Sequence, residues 1–241
     1  MSILSVVQSA APKCGFTTPA LLVADTGATS LEIQATLQTV GMEIQKRYDW
    51  QAVKTLATIT GDGSSLAFNL PTYYDRMLKD ARLWPSAQPN APLTHITSTD
   101  VWLGMVTQAF TAVVGAWTLF GDQINIRMGG QSTPLANATT VQYYYITKQI
   151  WKDNSSVPKL TINADNDQFR LDENLLKLGF IAQWKSDKGR PYAQDRSDFE
   201  DALAVAIGND KGAKIIAVGQ PRYRSGAELA LPFGVVDNGG P

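Results

Sequence analysis

The chain has one cysteine, Cys14, and one histidine, His95, in 241 residues. A single thiol excludes an intramolecular disulfide and a thiolate metal cluster, and fits synthesis in a reducing compartment such as bacterial cytoplasm. A single imidazole excludes a histidine-rich metal site. Counting alone leaves a one-histidine triad open, but no Gly-x-Ser-x-Gly elbow accompanies His95 and no signature surrounds Cys14. His95 therefore reads as a loop residue between Pro92 and Thr97. Excess charge of either sign is missing too: 21 Lys+Arg stand against 22 Asp+Glu, a formal net charge of -1. Composition thus implies no large phosphate-neutralising surface, and DNA meeting this protein would pass it rather than be gripped. Apolar runs are short. The stretch 109–120 is broken by Thr111, Gly115 and Thr118 and falls below the roughly 20 residues that cross a bilayer. The opening Met1-Ser2-Ile3-Leu4-Ser5 lacks a basic n-region and a long apolar core, which predicts no export by a signal peptide. What remains is an ordinary globular composition, 44% hydrophobic and 18% charged, enough for one compact body or two small ones.

Periodicity supplies the elements. Residues 3–11 predict a short helix with Leu4, Val7 and Ala11 on one face, stopped by Pro12. Thr29-Ser30-Leu31-Glu32 has the form of a capping box, and Ile33, Leu37, Val40 and Ile44 then recur at helical spacing up to Lys46 and Arg47. After Trp50 the period changes to two. Residues 53–60 and 66–70 alternate around Gly61-Asp62-Gly63-Ser64, which predicts a β-hairpin, with a third strand over 77–84 and a Pro-rich crossing over 85–92. Ser98-Thr99-Asp100 opens a helix to about Phe110, with Val101, Met105 and Val106 or Ala109 inward. Residues 113–120, 123–128 and 139–151 predict strands of one antiparallel sheet. Helical patterning returns at Leu171-Asp172-Glu173, carrying Leu175, Leu176, Ile181 and Trp184, and at Ser197-Asp198-Phe199-Glu200, carrying Phe199, Leu203 and Ile207. A short apolar strand is expected over 214–218. The fold class expected is α+β: N-terminal and C-terminal helices form a bundle with an inserted antiparallel β domain and an extended C-terminal arm. The divisions are 1–50 and 171–218 for the helical parts, 51–170 for the β-rich domain with its one helix, and 219–241 for the arm.

Few residue groups suggest chemistry. Gly61-Asp62-Gly63 lacks the further carboxylates of a calcium loop and reads as a turn. Asn163-Ala164-Asp165-Asn166-Asp167 places three side-chain oxygens at alternate positions and is the better cation candidate. It lacks the glycine and distal glutamate of an EF-hand, so a solvated turn is the default. Gly129-Gly130 and Lys211-Gly212 belong to no phosphate-binding fingerprint. Tyr143-Tyr144-Tyr145 offers ring faces to bases, but strand alternation sends Tyr144 one way and its neighbours the other, which suits a sheet covered on both faces. Lys177, Lys185, Lys188 and Arg190 are offset by Asp172, Glu173 and Asp187 and read as a solvated helix face. No catalytic, metal or cofactor site is expected. The arm carries Arg222, Tyr223 and Arg224 and then Leu229, Leu231 and Phe233, residue types that serve as interface anchors.

The element order resembles that of the head-to-tail adaptor (connector, tail-tubular A-like) proteins of tailed bacteriophages. The strings that carry the likeness are Arg47-Tyr48-Asp49-Trp50, Phe68-Asn69-Leu70-Pro71, Tyr73-Tyr74-Asp75-Arg76 and Val141-Gln142-Tyr143-Tyr144-Tyr145. The helix pair that follows adds Leu171-Asp172-Glu173-Asn174-Leu175-Leu176 with Trp184-Lys185, then Pro191-Tyr192-Ala193 and Phe199. The resemblance implies a virion protein of the neck, without enzymatic activity or cofactor. It implies a homo-oligomeric ring of about twelve copies beneath the portal protein. Such a ring lines the DNA ejection channel, through which double-stranded DNA passes without sequence-specific binding, and offers a docking surface to a tail or nozzle protein. No membrane is involved. Under this reading Arg222, Tyr223, Arg224, Leu229, Leu231 and Phe233 bind the portal or a neighbouring subunit. Two other classes stand beside it: a tail completion or tail-terminator ring, and a small hydrolase dependent on His95 or a carboxylate pair.

Overall fold

A computed structural model describes residues 2–107, 115–129 and 134–210. The protein is α+β, with helices at both ends of this described part. In chain order the elements are α1 (Ile3–Cys14), α2 (Ala28–Arg47), β1 (Lys54–Thr60), β2 (Ala67–Asn69), β3 (Tyr74–Met77), β4 (Trp84–Pro85), β5 (Thr94–His95) and α3 (Thr99–Thr107). They continue with β6 (Ala116–Phe120), β7 (Gln123–Arg127), β8 (Thr140–Thr147), β9 (Trp151–Lys152), β10 (Pro158–Lys159), β11 (Gln168–Phe169), α4 (Glu173–Asp187) and α5 (Ala193–Asp210). They divide into two compact units. The first comprises residues 2–55, 73–79 and 146–210, the second the described residues between 56 and 72 and between 80 and 145. The strand expected over 214–218 and the arm over 219–241 lie outside the described residues.

The first unit is helical. Ile33, Leu37, Val40 and Ile44 of α2 are buried, as their spacing requires, against Val6, Val7 and Ala10 of α1, Leu175, Leu176 and Phe180 of α4, and Phe199 and Leu203 of α5. Each such side chain removed from water contributes about 2 kcal/mol. A three-stranded sheet, β10-β9-β11, brings Trp151 and Phe169 to the same core, and Trp151 Nε1 donates to Gln38 Oε1 at 2.7 Å. Arg76 fastens β3 beneath the end of α2, donating to the carbonyls of Gln45 and Tyr48 and to Asp49 and Asp75.

Several boundaries differ from expectation. Pro12 does not stop α1, because it falls in the last turn and Gly15, left-handed at φ 69°, closes the helix by donating to the Ala11 carbonyl. The α1 face turned inward is Ile3, Val6, Val7, Ala10, Ala11 and Cys14, so Val7 and Ala11 fall as expected while Leu4 is only half-buried. Thr29 is not a cap: α2 starts at Ala28, directly after Gly27, and Asp25 organises the entry, accepting from the Gly27 amide and the Ser30 hydroxyl. Glu32 pairs instead with Lys188. At α4 the expected helix start holds, and Asp172 caps it, accepting from the amides of Asn174 and Leu175. Helix α5 begins before Ser197, which lies in its interior; the Arg196 amide already donates to the Tyr192 carbonyl.

The second unit is β-rich, and its pairing departs most from expectation. Strands β1 and β2 do not form a hairpin. β1 is a neighbour of β8, which also pairs with β4, whereas β2 joins the sheet β2-β7-β6-β5. The reason lies at Gly61 and Asp62. The Asp62 carboxylate accepts from the amides of Ser64 and Ser65 and the Ser65 hydroxyl, making a wide loop. The Gly61 amide donates to Thr139, and a Cβ at Gly61 would lie 2.3 Å from the Ala136 carbonyl oxygen. Gly61 thus admits another segment rather than closing a turn. A tight hairpin joins β6 to β7, with Gly121 and Asp122 both at positive φ and Phe120 opposite Gln123. The expected single sheet is also divided, since β8 is in a different sheet from β6 and β7 and β5 pairs with β6 in parallel. The strand expected over 77–84 resolves into β3 and β4, one in each unit. In α3 the inward residue is Trp102, while Val101 and Val106 are exposed. Ala109 lies outside the described residues.

Candidate interaction surfaces

The residues that could do chemistry are placed structurally. Cys14 is fully buried, and burial pushes its thiol up to about 11 despite Lys185 nearby. His95 stacks on Trp117, ring centroids 4.1 Å apart and planes 15° off parallel, and partial burial lowers its pKa. Among the described residues no group of three or more His, Cys, Asp or Glu is arranged to hold a metal ion. No helix among them is long and apolar enough to cross a membrane.

The 163–167 loop is not a solvated turn. Its oxygens converge on groups of the chain itself. The Lys159 ammonium sits 2.7 Å from both oxygens of buried Asp167 and also meets Asn163 Oδ1. The amides of Asn163 and Ala164 donate to Asp167, and those of Leu22 and Val23 to Asp165. An ammonium thus stands where a metal would. Nor is the basic segment of α4 simply solvated. Lys185 pairs with Asp195, Lys188 pairs with Glu32 and lies over the Trp184 ring, and Arg190 donates to the Cys14 carbonyl. An open hollow of about 270 Å³ beside Val6, Ser9 and the first turn of α4 is lined by Asp172 and Glu173. Its acids suit the helix N-terminus and oppose an anion there.

The outward faces are more informative. Along α2 the exposed positions Ala28, Leu31, Ala35, Thr39, Met42 and Lys46 form a single stripe at steps of three and four, with Thr29 and Arg47 exposed beside it. It is uncharged until its last member, with Leu31 55% and Met42 40% exposed. Charges beside it are satisfied within the unit: Glu32 by Lys188, Glu43 by Arg47 and Arg196, and Arg47 by Glu200 as well. Along α5 the exposed row includes Asp198, Asp201, Ala204, Val205 and Gly208, with Val205 63% exposed. Asp198 accepts from Gln194, and neither aspartate has an ion pair among the described residues.

In the second unit, Tyr143 and Tyr145 are buried while Tyr144 is 56% exposed, so among the described residues β8 is covered on the face of Tyr143 and Tyr145 and open at Tyr144. Leu56 of β1 is exposed as well, as are Val101, Leu103 and Val106 of α3. The six arm residues singled out for partner binding, Arg222, Tyr223, Arg224, Leu229, Leu231 and Phe233, lie outside the described residues. The exposed α2 stripe is legible from sequence only in part: Ala35 and Thr39, small and four apart on one face, would permit a neighbouring subunit's close approach, but Leu31 and Met42 read as ordinary helix residues until the buried side is known. Compared with known proteins, the chain matches no protein-family model and no curated protein.

Proposed function

We propose that this chain is a structural protein of a bacteriophage virion, a head-to-tail adaptor of the neck. In this role copies form a dodecameric ring that docks under the portal, lines the DNA ejection channel and presents the attachment surface for the next component in tail assembly. The observation that carries the reading is the outward stripe of α2, five uncharged positions on a helix whose flanking charges are already paired. A helix face of this kind gains by being covered, as an oligomer's interior surface does. A helical unit assembled from both ends of the described chain, with a β-rich unit inserted, accords with it. A net charge of -1 accords with a channel along which DNA slides, because few phosphates would be neutralised.

The test is attachment to portal-capped heads, read by electron microscopy and sedimentation. The full chain is expected to bind as a ring at the portal vertex. Deleting residues 226–241, which removes Leu229, Leu231 and Phe233, is expected to abolish attachment while leaving the melting temperature nearly unchanged. Capping of purified tail tubes, with no binding to heads, would assign the protein to tail completion instead. Turnover of an ester, peptide or glycan, lost on changing His95, would replace a structural role with an enzymatic one.

A further inference from the structure

We infer that the α2 stripe is one half of a subunit seam whose other half is the outward row of α5 on a second copy of this chain. The inference rests on the ring reading and adds to it the two surfaces and their register. Three observations carry it. First, the exposed positions match in spacing: Lys46, Met42 and Thr39 step by four and three, and so do Asp201, Val205 and Gly208. Second, the match is antiparallel and complementary in charge. Aligning Lys46 with Asp201 brings Met42 to Val205 and Thr39 to Gly208, whereas the parallel alignment puts the lysine on Gly208 and leaves the aspartate against Thr39. Neither Lys46 nor Asp201 has an ion pair within its own chain among the described residues, so both are available across a seam. Third, the shapes fit. Nothing lies within 4 Å of a Cβ built on Gly208, so Gly208 and Ala204 leave a shallow groove that an exposed Met42 can enter, as small residues do where helices approach closely.

Size sets how the seam behaves. The matched stretch covers about two turns, roughly 10 Å of helix. It buries on the order of a few hundred Å², against the 1,200 Å² or more of a stable interface. The purified chain is therefore expected to be monomeric or weakly associated, and copies held side by side on a partner close the seam through effective concentration. The two faces differ, so the contact is heterologous and propagates around a ring rather than ending at a dimer.

The test uses cysteines at exposed positions, with buried Cys14 left in place. A concentrated equimolar mixture of Met42→Cys and Val205→Cys full-length chains, oxidised gently, is expected to give a disulfide-linked heterodimer. Each variant alone is expected to give at least five-fold less cross-linked product. Adding Lys46→Glu to the first chain should lower the yield about five-fold, and Asp201→Lys on the second should restore it. Unchanged melting temperatures keep these outcomes interpretable. Equal homodimer yield from Met42→Cys alone would overturn the seam in favour of α2 against α2, and an unaltered yield on charge reversal would overturn the register. A ring seen on portal-capped heads without this cross-link would overturn the seam and leave the functional reading standing. A cross-link in solution without any ring on heads or tails would do the reverse.

Discussion

The Lys159 ammonium is bidentate on the Asp167 carboxylate, 2.7 Å to each oxygen, with the aspartate side chain wholly buried and the lysine 18% exposed. Around this pair the chain ties the 158–169 segment to the start of the molecule, since the Ile3 amide donates to the Asp167 carbonyl. Removing one partner of a buried pair strands the other charge. Lys159→Met is therefore expected to cost about 3 kcal/mol in urea unfolding. Asp167→Asn, made in the Lys159→Met background, should recover part of that loss, because the amide keeps an acceptor for Asn163 and Ala164 without the charge. No loss in the single variant would show that the pair is solvated.

Gly61 and Gly121 separate close approach from conformational freedom. Gly61→Ala drives a methyl to 2.3 Å from the Ala136 oxygen and 2.5 Å from that of Leu135. It should cost about 2–3 kcal/mol as overpacking. Gly121→Ala meets nothing within 4 Å and bears only the left-handed backbone penalty at φ 60°, about 1 kcal/mol. Thermal melts of the two variants should fall in that order, and the reverse order would refute the close packing of 135–139 on Gly61.

Cys14 should be silent in the folded protein. A disulfide reagent at pH 8 is expected to label it only after unfolding. The sign of its pH dependence follows from a folded value of about 11 against an ordinary thiol value of 9.0. The contribution is fully present below 9 and fades as pH rises from there toward 11, because the unfolded chain ionises first. Rapid labelling of the native chain would place the thiol at the surface.

Glu43 provides the acid-side counterpart. Burial raises its carboxyl, but hydrogen bonds from Arg196 and Arg47 outweigh that and hold it below 4.5. A depressed folded pKa gives stability that is present above the unfolded value and lost as pH falls through the folded one. Arg196→Gln should move the Glu43 midpoint upward in a carbon-13 NMR titration and flatten the decline of melting temperature below pH 4.5. An unmoved midpoint would assign the shift elsewhere.

Local chemistry was enough to place the helices. Ile33, Leu37, Val40 and Ile44 declare a buried stripe by spacing alone, and Leu171-Asp172-Glu173 declares a helix start, because both depend on residues within a few positions of one another. The existence of β1, β6, β7 and β8 as strands was equally legible, as was the split of Tyr144 from Tyr143 and Tyr145. Partners were not. A strand's period says which face is buried and nothing about which strand lies beside it, so the glycines at 61 and 63 read as a hairpin turn although Gly61 makes room for 135–139. The conversion of the 163–167 loop from a cation candidate into a lysine cage required Lys159 to be placed by a separate strand. Likewise Leu31 and Met42 became surface only when packing against α1, α4 and α5 had decided which side of α2 was left over. Short-range spacing and capping determined the elements of this protein; the long-range pairings, the ion cage and the uncovered faces were decided by contacts between residues remote in the chain, which no local pattern encodes.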